Sequence, residues 1–307
     1  MREVDPCSPI ANAAPPGRRN IVLLQSGDLR KPVFCVHAAD GDVVPYLQLA
    51  RELGGAAQTY GITSLDLDLK TLPPVSVREL AEQYCDQVRQ IQRRGPIQLV
   101  GWSSGGWIAF EIANALQRYG EAIGSVTLLD SAPPKPDPTF DLPPSVLALR
   151  LTTDEEQSAM LWWRFLCVCT FIDAEASGIP PGFWTLSDAA RGRFVLEHAR
   201  RQDLFKPRNA LLPATDVGDI LYMFNFVNLQ FEAFHGYEAS YFGGKLNLFL
   251  SLRCGLPEAQ IRRRIDFVES FWRGRITGEL KSHHIVGDHA ASLSPPAVQD
   301  VAKVILE

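Results

Sequence analysis

The feature that most limits how this chain can fold is the stretch Ile97-Gln98-Leu99-Val100-Gly101-Trp102-Ser103-Ser104-Gly105-Gly106. An apolar run enters a G-x-S-x-G turn and an amphipathic segment, Trp107 to Glu111 and beyond, leaves it. That order predicts a strand, a sharp turn and a helix, with Ser103 at the apex in a strained conformation that lifts its hydroxyl clear of the backbone. Gly101 and Gly105 carry no Cβ, so neighbouring backbone can close in on either side. Ser103 is the candidate nucleophile. The amide of Ser104, at the first turn of the helix, would face a developing oxyanion.

The rest of the chain supplies a sheet around this turn. Strands are expected at 21–24, 32–37, 58–63, 97–101, 126–129, 245–252 and 282–286, and helices at 45–53, 77–91 (opened by the capping box Ser76–Glu79), 104–119 and from Pro296 onward. Strands alternating with helices imply an α/β fold with a mostly parallel, doubly wound sheet. The pattern breaks at Pro133. After a proline-rich stretch come three helical segments, about 153–173, 186–203 and 216–234, rich in aromatics such as Trp162, Trp163, Phe171 and Phe224. A helical block of this kind between two strands, about 133–240, reads as a lid insertion over the site, its aromatics mostly forming the lid's own core. Residues 1–20 read as a flexible leader or linker, and 21–307 as the domain.

A serine hydroxyl needs a base. Of six histidines, His37 precedes the nucleophile, His198 and His235 fall in the insertion, and His283 and His284 lie in the last strand. His289 follows that strand, on the rim expected to hold Ser103, and is the candidate base. The acid that orients it is Asp130, which ends strand 126–129; Glu258, beyond strand 245–252, is the competitor. The second oxyanion donor is expected from the loop after strand 32–37, at the amide of Ala39 or else Ala38.

A net charge of −5 argues against nucleic-acid or anionic-membrane partners. Six cysteines without C-x-x-C or zinc-like spacing read as reduced thiols in a cytoplasmic protein with no metal site. No signal core or membrane-length apolar run is present.

With these residues placed, the chain resembles the thioesterase domains that release products from nonribosomal peptide and polyketide synthases, of the α/β-hydrolase superfamily. The carrying pieces are Pro32-Val33-Phe34-Cys35-Val36-His37-Ala38-Ala39-Asp40-Gly41, Gly101-Trp102-Ser103-Ser104-Gly105-Gly106 with Ile108-Ala109-Phe110-Glu111, then Leu128-Leu129-Asp130-Ser131, and Gly287-Asp288-His289. Ala38 and Asp40 stand where such loops usually carry Pro and Gly. The resemblance supports Asp130 over Glu258. It implies a triad of Ser103, His289 and Asp130, oxyanion donors Ala39 and Ser104, and no directly bound cofactor. The acyl or peptidyl substrate would arrive on the phosphopantetheine of a carrier protein and leave by hydrolysis or macrocyclisation. The chain would then be a terminal domain of a synthase or a free-standing enzyme. A free-standing editing thioesterase or acyltransferase is the alternative, a general esterase a weaker one, and a non-catalytic binding module would require a missing triad member.

Overall fold

The protein was analysed as a computed structural model, which describes residues 20–64, 76–92, 96–134, 149, 151–168, 179–201, 216–252 and 257–307. The expected leader, the prolines 136–144, the end of the first insertion helix with Phe171, and the segment 253–256 lie outside the described residues.

Seven strands form one sheet: β1 (Ile21–Gln25), β2 (Val33–Val36), β3 (Thr59–Ile62), β4 (Ile97–Trp102), β5 (Ile123–Leu129), β6 (Lys245–Ser251) and β7 (Glu279–Ile285). Their order is β1-β3-β2-β4-β5-β6-β7, with β1 antiparallel to β3 and every other pairing parallel. The expected α/β-hydrolase architecture is therefore present. The central strands are apolar on both sides because both faces are covered. Phe34, Val36, Leu99, Leu128 and Leu248 pack under helices α2 (Val77–Ile91) and α3 (Gly105–Arg118). Their alternates Val33, Cys35, Val100, Leu129 and Phe249 pack with α1 (Leu47–Leu53) and the terminal helix.

The insertion contributes α4 (Thr153–Val168), α5 (Asp188–Arg201) and α6 (Val217–His235). Trp162, Phe165, Phe183, Trp184 and Phe224 form a cluster separate from the two sheet cores, as the aromatic content suggested. Trp162 stacks on Phe224 at 4.3 Å between ring centroids.

Three elements depart from expectation, the first being β5, which starts at Ile123 rather than 126. A helix, α7 (Glu258–Arg273), lies between β6 and β7 and had not been expected. Ile261, Ile265, Val268 and Trp272 recur on it at helical spacing, a signal that three consecutive arginines, Arg262 to Arg264, obscure. Strand β7 starts at Glu279 rather than 282, because an edge strand mixes charged residues such as Glu279 and Lys281 into its pattern. The terminal helix, α8 (Ala297–Leu306), starts one residue after Pro296.

Both ends of the insertion are fastened to α3. Trp107 Nε1 donates to the Ala132 carbonyl at 2.7 Å where the chain leaves β5. Glu111, buried one turn further along α3, accepts Tyr237 Oη–H at 2.8 Å, and Ser240 N–H and Oγ–H at 2.9 Å each, where the chain returns. Truncating this carboxyl group strands three donors in a region that excludes water. Glu111→Ala is expected to lower unfolding stability by about 3 kcal/mol, readable as a drop in urea midpoint at unchanged m-value. An unchanged midpoint would show that the return segment is held by apolar packing alone.

Candidate active site

Strand β4 delivers the chain into a turn whose apex, Ser103, has φ 56°. A residue with a Cβ adopts that left-handed conformation only under compulsion, and here the compulsion comes from both sides. A Cβ on Gly101 would stand 2.3 Å from the Gly105 carbonyl oxygen, and one on Gly105 would stand 2.4 Å from that of His37. The turn can be this tight only because both positions are glycine. Ser103 N–H donates to Leu129 O at 2.9 Å, and Gly106 N–H to Ser103 O at 3.1 Å, which closes the turn into α3. Ser103 is partly exposed while its neighbours are buried.

Ser104 caps α3 at its N-terminus. Ala38 and Ala39, both buried, follow the end of β2, the strand beside β4. Among the described residues, no backbone hydrogen bond consumes the N–H of Ala39 or of Ser104. The rim is braced from below: Tyr46 Oη–H donates to Val36 O at 2.7 Å and accepts Trp102 N–H at 2.6 Å.

Asp130 lies one residue past the end of β5, directly beside β4, with φ 48° and 1% of its surface exposed. His289 follows β7 in a turn opened by Gly287, φ 142°, and shaped by Asp288, whose Oδ1 accepts Ala290 N–H at 3.0 Å. The structure brings these two together: His289 Nδ1 stands 2.6 Å from Asp130 Oδ2. That bond fixes the tautomer with the proton on Nδ1 and leaves Nε2 as the basic nitrogen. Trp102, the residue before Ser103, holds the His289 turn against β4. Its ring lies 4.8 Å from the imidazole centroid and its Nε1–H donates to His289 O at 2.8 Å.

The competing acid is not here. Glu258 is exposed at the start of α7 and pairs with Arg262. The same helix sends a cation instead. Arg264 Nη2 lies 2.9 Å from Asp130 Oδ1, and its Nη1–H donates to Ser251 O at 3.2 Å. Ser251 N–H, at the end of β6, donates to the same Oδ1 at 3.2 Å. Arg264 follows Ile261 by three residues and precedes Val268 by four, so the helical phase of α7 alone could have singled it out from the two exposed arginines before it.

The remaining described histidines do other work. His37 is buried, with Nε2 3.0 Å from Tyr84 Oη and Nδ1 2.6 Å from Ala38 O, and burial pushes its titration down to about 4. His283 stacks on Phe249, His284 pairs with Glu269, and His198 lies beside Phe194 on α5. Cys35 and Cys85 are free and buried. Among the described residues no group of His, Cys, Asp or Glu is arranged to hold a metal ion, and no helix is long and apolar enough to cross a membrane.

The chain is similar to several known proteins. Residues 31–139 match the family model described as "Thioesterase domain". The chain is 36% identical over 111 residues, 36% of its length, to Malpibaldin synthetase of Mortierella alpina. It is 25% identical over 287 residues, 93% of its length, to the probable non-canonical nonribosomal peptide synthetase CymA of Salinispora arenicola. It spans 2% of the first and 3% of the second. Among solved structures, the Vlm2 thioesterase domain bound with a dodecadepsipeptide superposes with a TM-score of 0.61 at 21% identity, covering 93% of this chain and 96% of that one.

Proposed function

We propose, on the premise that this chain carries a thioesterase domain of the nonribosomal-peptide and polyketide-synthetase type, that Ser103 takes an acyl or peptidyl chain from the phosphopantetheine thioester of a carrier protein. His289 Nε2 accepts the Ser103 proton as Oγ attacks the carbonyl. Asp130 stabilises the imidazolium that forms. The amides of Ala39 and Ser104 receive the oxyanion. The tetrahedral intermediate collapses, the thiolate leaves with the proton from His289, and an acyl-enzyme remains on Ser103. His289 then deprotonates either water, releasing an acid, or a nucleophile within the chain itself, releasing a macrocycle.

The observation that carries this reading is the 2.6 Å bond between His289 and Asp130, held by Trp102 beside a serine in a left-handed turn. The two amides that no backbone partner consumes support the oxyanion assignment. The inserted helices α4 to α6 serve as the cover. At Gly41 an added Cβ would stand 3.1 Å from the Phe226 ring, so α6 lies against the loop that carries Ala39.

The test is a panel of pantetheine thioesters bearing short acyl and long peptidyl chains, followed by intact-protein and product mass spectrometry. The expected result is a covalent adduct on Ser103 that turns over to acid or cycle, with peptidyl thioesters preferred. Preference for short misprimed acyl groups would assign an editing role, and no adduct with any thioester would end the proposal.

A further inference from the structure

We propose that Arg264 is a positioning residue of this reaction, acting through Asp130 on the basicity and aim of His289. The inference rests on the serine–histidine–aspartate reading above. Its basis is the division of labour at one carboxylate. Oδ2 meets His289 Nδ1 at 2.6 Å, while Oδ1 is held by Arg264 Nη2 at 2.9 Å and Ser251 N–H at 3.2 Å. Arg264 Nη1 is itself anchored to Ser251 O at 3.2 Å. Two donors from two different elements, α7 and β6, thus help to fix the carboxylate plane and aim its Oδ2 at the imidazole. Partners of this kind around a catalytic group hold its orientation where a lone side chain would rotate.

The pair is sealed: the Arg264 side chain is 3% exposed and that of Asp130 0%. Net stability is a poor account of such a pair, because desolvation of both charges offsets their attraction. Its effect on charge is direct. A guanidinium across the carboxylate from the imidazole competes for the negative charge that would stabilise an imidazolium. Removing Arg264 would leave more of the carboxylate's charge facing the imidazole.

Among the described residues Asp130 is the one charged side chain bonded to His289. Other ionisable groups on neighbouring elements include Asp288 in the same turn, the Glu279–Lys281 pair, His283 and the His284–Glu269 pair on and beside β7, and Asp40 and Asp42 in the loop after β2. Burial and the neighbouring Asp42 push Asp40 up to about 7. These groups are common to all variants, so differences between profiles isolate Arg264.

The experiment is the rate of Ser103 labelling by a fluorophosphonate probe as a function of pH, in the full chain and in Arg264→Gln, Arg264→Lys and His289→Ala. Arg264→Gln is expected to label about tenfold more slowly at neutral pH, with its acid limb moved up by about one pH unit. Arg264→Lys keeps the charge but loses the fork; it should be slower with its acid limb at the wild-type position. A limb in Arg264→Gln that overlays wild type, or one in Arg264→Lys that moves as far as in Arg264→Gln, overturns the proposal. If circular dichroism finds Arg264→Gln unfolded, Arg264→Lys decides: slower labelling at an unmoved limb upholds the role, and the full wild-type rate removes it. His289→Ala separates the two readings. If it labels at the wild-type rate, the triad itself is wrong; if it is silent while Arg264→Gln is unmoved, only the arginine's role falls.

Discussion

Replacing Ser103 by alanine is expected to eliminate covalent labelling and lower thioester turnover by about a millionfold, the scale on which removal of a triad serine acts in other hydrolases. The fold should survive, since only one hydroxyl is removed from a partly exposed position. Ser103→Gly makes the stronger test. It deletes the same nucleophile and also relieves the left-handed backbone at φ 56°, which costs a non-glycine residue about 1 kcal/mol or more. The glycine variant should therefore be as inactive as the alanine variant and melt at a higher temperature. Thioester turnover surviving in either variant would mean that another group carries the chemistry. A glycine variant no more stable than wild type would mean that the turn stores no strain.

The second large effect is expected at Asp130. Asp130→Asn should lower turnover by about four orders of magnitude, because an amide favours the wrong imidazole tautomer and cannot stabilise the imidazolium. It should also destabilise the protein, by about 3 kcal/mol, since it removes one charge of the buried Arg264–Asp130 pair. The two losses separate by assaying well below the variant's melting temperature, where the population is folded and only the chemical deficit remains. Near-normal turnover there would remove the aspartate from the mechanism. Glu258 is exposed and paired with Arg262.

The tight turn at Ser103 and the placement of Asp130 and His289 past strand ends were legible because each has a local signature. Glycines on both sides of Ser103 state the crowding that the structure then shows at Gly101 and Gly105. Asp130 and His289 stand one and four residues past strand ends, and in a parallel sheet the ends of neighbouring strands share one rim. Other features carry no such signature. Any residue can donate a backbone N–H, so Ala39 could be named only by its place after β2. Arg264 was hidden among three arginines, because burial depends on the phase of α7 and that helix had gone unrecognised. The aromatic-rich insertion was readable as helices with a core of their own, yet its sequence says little about how those helices face the turn at Ser103.

The attachment of the inserted helices to α3 has a consequence for what the domain can accept as cargo. Trp107 and Glu111, four residues apart and so on one side of that helix, grip the outgoing and incoming stems, while Trp272 Nε1–H, from α7, donates to the carbonyl of Ser131 at 2.8 Å. The chain is thus riveted within two residues of Asp130 before it departs. Beyond those rivets the inserted helices meet the proposed site through α6, whose Phe226 lies against Gly41 in the loop after β2. On the reading proposed above, guests of different girth could be met by rebuilding α4 and α5 while Asp130 stays anchored, whereas any change on α6 would also be felt at Ala39.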